Sequence, residues 1–545
     1  MLPATPNPIR TALNRVTFGA RDTDVAIAEN LGWAGWVNDQ LAPPPGDDPA
    51  LASHLARQTM KIKYAAPAEN DTRGTWLATD EDRTLNYINA EAATLWNITR
   101  NAGSLFSGSE RTRIRQELAA ATWICNGHSR YQLREFMVDF WHNHFNIGKN
   151  ENELATSLLP AFDRVTIRPN AFGNFRTLLE ATATAPSMLI YLDNWVSSAT
   201  TPNENYAREI MELHTLGGSA YLGTASPATV AMGPDGLAVG FTDTDVIQAS
   251  RALSGWTIGY GQATTPGTMP NTGEFAFNPR QHNRQAGSIL GFNVSSVLND
   301  MTQGQRLLSI LAYHPATASF IVGKLARRIF GDTPPQAVIN RGLTAWLSNQ
   351  TAPDQIGRVL RAMLVDGTEI TTAPVVKVRR PYERIIAMAR TTELIFNAGT
   401  SMTSLLDPLS DGLFAWQAPD GRPDVNAFWL AAGATIATWN LLFQVPNFTE
   451  FTGGAFSFPG TAASLTMQTP ETALTSATAV VEYWVGRMVG HQLNATAMNG
   501  LVADQGGSNG VPAIVRTRNV TAARIETAHR RLISLIATSE EFSLR

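Results

Sequence analysis

Asn203-Glu204-Asn205-Tyr206-Ala207-Arg208-Glu209-Ile210-Met211-Glu212-Leu213-His214-Thr215-Leu216-Gly217 follows Pro202 and runs into Gly218, the punctuation of a helix. At about 100° per residue, Asn205, Arg208, Glu209 and Glu212 share one stripe, while Tyr206, Ile210, Leu213 and His214 share the opposite face. Asn203 suits an N-cap and Glu204 the first turn. The polar stripe is either a solvated surface or the wall of a site. As a surface it needs no more than an Arg208–Glu212 ion pair, worth ~0.3–0.5 kcal/mol. As a wall it makes Glu209, which has no cation one turn away on its own helix, the first candidate for proton transfer. Glu212 beside it would push their proton affinities apart.

Helical periodicity extends outward from this segment. It predicts two helices over 9–41, the second ended by Pro43-Pro44-Pro45-Gly46, and helical stretches over 80–126 and 130–145. A helix pair spans Phe172 to Trp195 with a break near Pro186, and another helix runs from Asp243 to Leu253. Stretches 304–331 and 336–366 are helical, as are Tyr382 to Phe396 after Pro381, 470–493 and 520–538. The expectation is a mainly α chain: one large helical domain over 1–545, with long Gly/Pro/Thr-rich loops and short β-hairpins, for example at Gly273–Phe277. Its sub-regions are 1–216, a loop-rich insertion over 217–302, helices over 303–397, Trp/Pro/Gly-rich loops over 398–470 and C-terminal helices over 471–545.

Composition bounds the function. Of 545 residues 44% are hydrophobic, enough for a large core, and only 16% are charged against roughly 25% in average proteins. A net charge of −4 with no basic block excludes a nucleic-acid-binding field. No apolar run approaches the ~20 residues of a membrane span. The lone Cys125, in an apolar helical stretch, reads as a core thiol and rules out an internal disulfide. The opening Met1-Leu2-Pro3 reads as a start methionine placed on a mature N-terminus after removal of an export signal. P-loop, G-x-G-x-x-G, G-x-S-x-G and H-E-x-x-H patterns are missing.

Four further constellations can carry chemistry. In Asp139-Phe140-Trp141-His142-Asn143-His144-Phe145, Asp139 can orient His142 as a catalytic group, whereas His142 and His144 point about 160° apart on a continuous helix. A divalent metal on both histidines and a carboxylate therefore requires the helix to end between them. Aromatic–histidine packing at a helix end is the bland alternative. Tyr191-Leu192-Asp193-Asn194-Trp195 is a helix terminus or a way to bring Asp193 to the same pocket. His282, in Phe277–Asn283, is a loop histidine. Trp416 opens Trp416-Gln417-Ala418-Pro419-Asp420-Gly421-Arg422-Pro423-Asp424, a turn of the sort that builds carbohydrate subsites by stacking sugars on rings.

Taken together, these segments resemble the bacterial domain-of-unknown-function family eighteen-hundred, nearly end to end. The resemblance rests on Asn14–Gly19, Gly32–Trp36, Phe140–Phe145 with its Trp-His-Asn-His pattern, Asn174–Arg176, Met188–Asn194 and Asn203–Gly217. It continues in Ala252–Trp256, with Ser254 where Thr is usual, and in His282-Asn283, where His-Asp is common. Pro419-Asp420-Gly421 with Pro423-Asp424, and Ser539–Phe542, complete the set. The resemblance implies a mostly helical, exported protein, periplasmic or secreted, whose genes often neighbour those of a sulfatase-like or alkaline-phosphatase-type family. It implies no reaction and no catalytic residue.

The leading expectation is an exported enzyme acting on a polysaccharide or related glycan, as hydrolase or lyase, without a cofactor. Glu209 and Glu212, with Asp193 or Glu204, supply acid and base, and His142 assists. Asn203, Asn205, Arg208, His144, His282 and the tryptophans, Trp141 and Trp416 among them, hold the substrate. The alternatives are a metal-dependent enzyme with His142 and His144 as ligands, and a non-catalytic scaffold or partner of the co-encoded sulfatase-like protein.

Overall fold

The computed structural model describes residues 2–44, 48–71, 74–148, 153–264, 267–450, 456–457, 464–506 and 522–545. Pro45, Gly46, the first residues of the predicted 520–538 helix and parts of the 398–470 loops lie outside them. The architecture is mainly α, with four short two-stranded antiparallel sheets among the described residues. One continuous apolar core runs from Ala12 to Phe542.

The centre of that core is the helix Pro381–Thr392, every residue of which is buried. It packs against Gly108–His128, Ala477–Met488 and Ala522–Ala537. Gly108–His128 also contacts Gln132–His144, and Glu204–Glu212 packs on Asp243–Leu253. The central helix carries charges because each has a partner. Arg390 donates to the carbonyls of Gly19 and Gly127, both at 2.8 Å, and pairs with Asp24 at 2.8 Å. Gly19 makes this approach possible. Its φ is +130°, and a Cβ there would lie 2.8 Å from the Ala387 Cα.

Several predicted boundaries change for local reasons. The 9–41 stretch is three helices, Pro8–Val16, Asp22–Leu31 and Trp33–Leu41, because Gly32 at φ 68° turns the chain between the last two. Residues 79–84 form a strand rather than a helix start. Thr79–Thr84 pairs with Thr59–Tyr64, and its charges are matched across the ribbon, with Asp80 at 2.5 Å from Lys61 and 2.7 Å from Lys63. The 304–331 stretch splits at His314-Pro315, where the His314 ring caps the helix Pro315–Phe330 by accepting from the Ala316 amide at 3.0 Å. The 336–366 stretch splits into Gln336–Ser348 and Gln355–Val365. Phe275–Phe277 is a strand as expected, paired with Trp256–Ile258 across a long connection.

Gly19→Ala should destabilise the protein by about 2 kcal/mol or more, since it combines a left-handed backbone with a backbone clash. Chemical-denaturation midpoints read this directly, and an unchanged midpoint would contradict the packing described.

Candidate functional site

The segment Trp141–Phe145 ends the helix Gln132–His144. Each of its polar side chains ties down a different part of the chain. Trp141 Nε1 donates to the Ala171 carbonyl at 3.1 Å. His142 Nε2 meets Asp163 Oδ1 at 2.8 Å. Asn143 binds the backbone of Arg422 twice: its Nδ2 donates to the carbonyl at 3.1 Å and its Oδ1 accepts from the amide at 2.8 Å. His144 Nε2 donates to the His214 carbonyl at 3.1 Å. Asn146 continues the pattern, donating to the carbonyls of Trp416 at 3.1 Å and Ala418 at 2.7 Å. The turn 416–424 is thereby stitched onto the helix end. Two glycines permit the contact, for a Cβ on Gly421 would lie 2.1 Å from the Asn143 carbonyl oxygen and one on Gly148 2.0 Å from that of Trp416.

Beneath this seam lies a buried ionic cluster. The Asp139 carboxylate takes Arg380 at 2.7 Å, Arg328 at 2.8 Å and Arg422 at 3.5 Å. Glu383 pairs with Arg328 at 2.6 Å and Arg545 at 3.2 Å. Burial alone would raise the proton affinity of Asp139, but the guanidiniums of Arg380, Arg328 and Arg422 overcome it and hold the carboxyl below its usual range.

Three cavities stand in a row across the cluster. A small cleft of about 40 Å³ is lined by His144, Asn143, Lys324, Arg327 and Asp424, with Asp139 and Arg422 in its wall. The same Asp139 and Arg422 line a second small space with His142, Phe414 and Trp416. Beyond it, the His142–Asp163 contact leads to an apolar cavity of about 630 Å³ bounded by Leu118, Cys125, Asp163 and Arg168.

In the first cleft, Lys324 Nζ lies 3.0 Å from His144 Nδ1. The His214 carbonyl can only accept, so Nε2 of His144 carries the proton and Nδ1 accepts from the ammonium. Burial, then the neighbouring Lys324 charge, keeps that imidazole neutral by holding it well below its ordinary range. Burial, aided by Arg327 and opposed by Asp424 and Asp420, brings Lys324 down to about 8. Half-buried Glu209 is raised by burial and then by Glu212, with Arg208 opposing and Asp420 adding to the rise. Asp420 thus acts on both Glu209 and Lys324.

A model of the family described as "Protein of unknown function (DUF1800)" matches residues 11–544. The chain belongs to that family. No curated protein and no solved structure matches it.

The two most distinctive DUF1800 segments, Asp139–His144 and Asn203–His214, do meet, through the His144–His214 hydrogen bond and the packing of Phe145 on the His214 ring at 5.1 Å. Several predicted roles change. Asp139 does not orient His142; it holds arginines, and Asp163 takes the imidazole. Arg208 pairs with Asp243 at 3.1 Å rather than with Glu212. Asn203 is the N-cap, accepting from the Tyr206 amide at 2.8 Å and donating to the Leu192 carbonyl at 2.9 Å. Glu204, Asn205 and Asp193 are exposed, Asp193 at a left-handed helix terminus. Trp141 is fully buried and has no surface for a ligand. His282 is buried too, its Nδ1 on the Ser254 carbonyl at 2.9 Å. Trp416 is half-buried at the second small space. The helix runs on through His144, so the two histidines diverge, and no group of three His, Cys, Asp or Glu able to hold a metal occurs among the described residues.

The sequence reading assigned no site role to Lys324, Arg328, Arg380, Arg422 or Asp163. Lys324, Arg327 and Arg328 stand at i, i+3 and i+4, which puts three cations on one helix face; that spacing was the available signal.

Asp163 supplies a test. Burial opposes its ionisation, yet Arg168 at 2.7 Å and His142 hold it at about 2, against an ordinary value of 3.8. A depressed carboxyl contributes stability above its unfolded value and loses it as pH falls through the folded one, so this contribution is complete above pH ~4 and disappears towards pH ~2. Asp163→Asn should cost about 2 kcal/mol at pH 7 and flatten the stability curve between those limits. Denaturation series at several pH values measure both, and a parallel curve for the variant would contradict the assignment.

Proposed function

We propose that this DUF1800 protein is an exported enzyme that acts on a polysaccharide or related glycan by acid–base catalysis, as a hydrolase or lyase. The observation that carries the reading is a pair of titratable groups that both feel Asp420 of the 416–424 turn, Glu209 raised and Lys324 lowered to about 8. Environments that move an acid and an amine toward neutrality are what proton transfer at physiological pH requires. Glu209 is the acid–base group, Glu212 tunes it, and Lys324, steadied by His144, orients the substrate. Half-buried Trp416, on the same turn as Asp420, offers ring surface. Among the described residues no helix is long and apolar enough to cross a membrane; the exported location rests on the family resemblance.

The test is turnover of a panel of neutral, uronic-acid and sulfated polysaccharides, followed by reducing-end release and by the ultraviolet absorbance of an unsaturated product. With a substrate in hand, Glu209→Gln should lower kcat by about 100-fold or more, while exposed Glu204→Gln leaves it unchanged. Undiminished turnover in Glu209→Gln, or no release from any member of the panel, contradicts the reading.

A second reading, a non-catalytic partner of a co-encoded sulfatase-like protein, is favoured by one observation: Phe428, Leu430, Ile436 and Trp439, just beyond the site turn, are exposed by 40–57%. Recovery of that companion in a pull-down from the native host supports it, and its absence counts against it. A metal on His142 and His144 would have to displace the Asp163 and Lys324 contacts.

A further inference from the structure

We infer that the cleft beside Lys324 binds an oxyanion: a carboxylate, sulfate ester or phosphate ester borne by the ligand. This deepens the enzymatic reading by naming the chemical class of the substrate, and it rests on that reading only for the word substrate.

The argument is one of charge accounting. Five cationic side chains line the cleft, Lys324, Arg327, Arg328, Arg380 and Arg422, against two carboxylates, Asp139 and Asp424. Neither carboxylate forms an ion pair with Lys324 or Arg327, although the charge of Asp424 is felt by Lys324. Asp139 is shared among three guanidiniums, and Asp424 is bound to Lys377 at 2.5 Å, outside the lining. The acids behind the cleft serve its guanidiniums. Glu383 is divided among Arg328, Arg545 and, at 3.9 Å, Arg380, and Asp411 stands 3.7 Å from Arg380 and 3.8 Å from Arg422, while it accepts the Tyr382 amide at 2.9 Å. Against burial, Asp139, Asp411 and Glu383 hold Arg380 above its ordinary range, so the unmatched charge is that of Lys324 and Arg327. Lys324 and Arg327 form no ion pair among the described residues. Among the described residues, the only side-chain hydrogen bond of Lys324 goes to a neutral imidazole, which orients the ammonium without neutralising it. The Nε atoms of Arg380 and Arg422 make no hydrogen bond, but each stands near an acid, Glu383 at 3.9 Å and Asp411 at 3.8 Å.

Buried positive charge in excess of its partners is costly, and an anion entering the cleft removes that cost. Crowding of cations is visible in their chemistry: burial and then the Arg380 charge bring Arg422 down. The geometry also suits an oxyanion. Lys324, Arg327 and Arg328 stand on one face of the helix Pro315–Phe330, a point charge beside two planar forks, with Arg327 exposed at the mouth and the others inside. Asn143, the remaining polar lining group, is spent on the Arg422 backbone, so selectivity for an anion falls to the cations.

The experiment is calorimetric titration of the full chain, in a chloride-free buffer, with sulfate, phosphate and glucuronate as separate probes. Binding of at least one is expected, and the preferred probe tells a sulfate ester, a phosphate ester and a uronic acid apart. Lys324→Met and, independently, Arg327→Met should each weaken it about tenfold or more; Arg327 is exposed, so its variant keeps the fold. Because the ammonium is the binding form, affinity should fall as pH rises past about 8 in the native protein and lose that dependence in Lys324→Met. No binding of any probe, or affinity as high as the native protein's in both variants, overturns the inference. The two proposals fail separately. Turnover of a neutral glycan by the native protein, with none of the three probes bound, would remove the anion site and leave the enzyme. Anion binding intact in Glu209→Gln, with nothing in the polysaccharide panel turned over, would do the reverse.

Discussion

The buried carboxylate of Asp139 is the constraint on which the candidate site depends. Through Arg328, Arg380 and Arg422 it joins the helices Gln132–His144, Pro315–Phe330 and Pro381–Thr392 to the 416–424 turn. These segments are far apart in sequence and have few reasons to meet beyond shared apolar packing. A single acid drawing three guanidiniums fixes their relative positions with directional contacts, and the cost of burying it is offset only while all three remain. Lys324 and His144 then face each other because their helices are already held.

Arginine performs a related task elsewhere. Arg15 donates to the carbonyls of Ile370 and Pro374, Arg390 to those of Gly19 and Gly127, and Arg545 to that of Arg15. These carbonyls lie at loop junctions where no regular backbone partner is available. A guanidinium offers five donors in a rigid fork and can satisfy several at once. That accounts for a chain with few charges in which arginine is common, lysine is rare, and much of the charge is interior. It also leaves more buried cations than acids around the cleft, which is the origin of the anion site inferred there.

The helical class was legible because amphipathic periodicity, proline starts and glycine stops all act locally. Asp243–Leu253 and the break at Pro186 fall where the pattern puts them. The strand Thr79–Thr84 was not legible: its residues are polar, and it exists because of the lysines on Thr59–Tyr64. The meeting of the His142–His144 and Asn203–His214 segments could be suspected from their polar richness, but not its manner, a ring-to-carbonyl bond at a buried helix end. Asp139 and His142 stand at i, i+3, which suggests a pair. The tertiary structure instead gives each a stronger partner that sequence spacing does not reveal. Lys324 stands in a basic helix end, Lys324-Leu325-Ala326-Arg327-Arg328, where the helix dipole is a local and sufficient reason for its charge; nothing in that spacing reveals its contact with a histidine 180 residues away.

The most direct measurement is the stability of Asp139→Asn, an isosteric change that removes the charge and leaves the shape. If Asp139 is the tie between the three helices and the turn, the variant should lose about 3–5 kcal/mol in denaturant unfolding. Protease cleavage should then appear first within the 416–424 turn as its anchor is released. A variant as stable as the native protein, with that turn equally protected, would contradict the account.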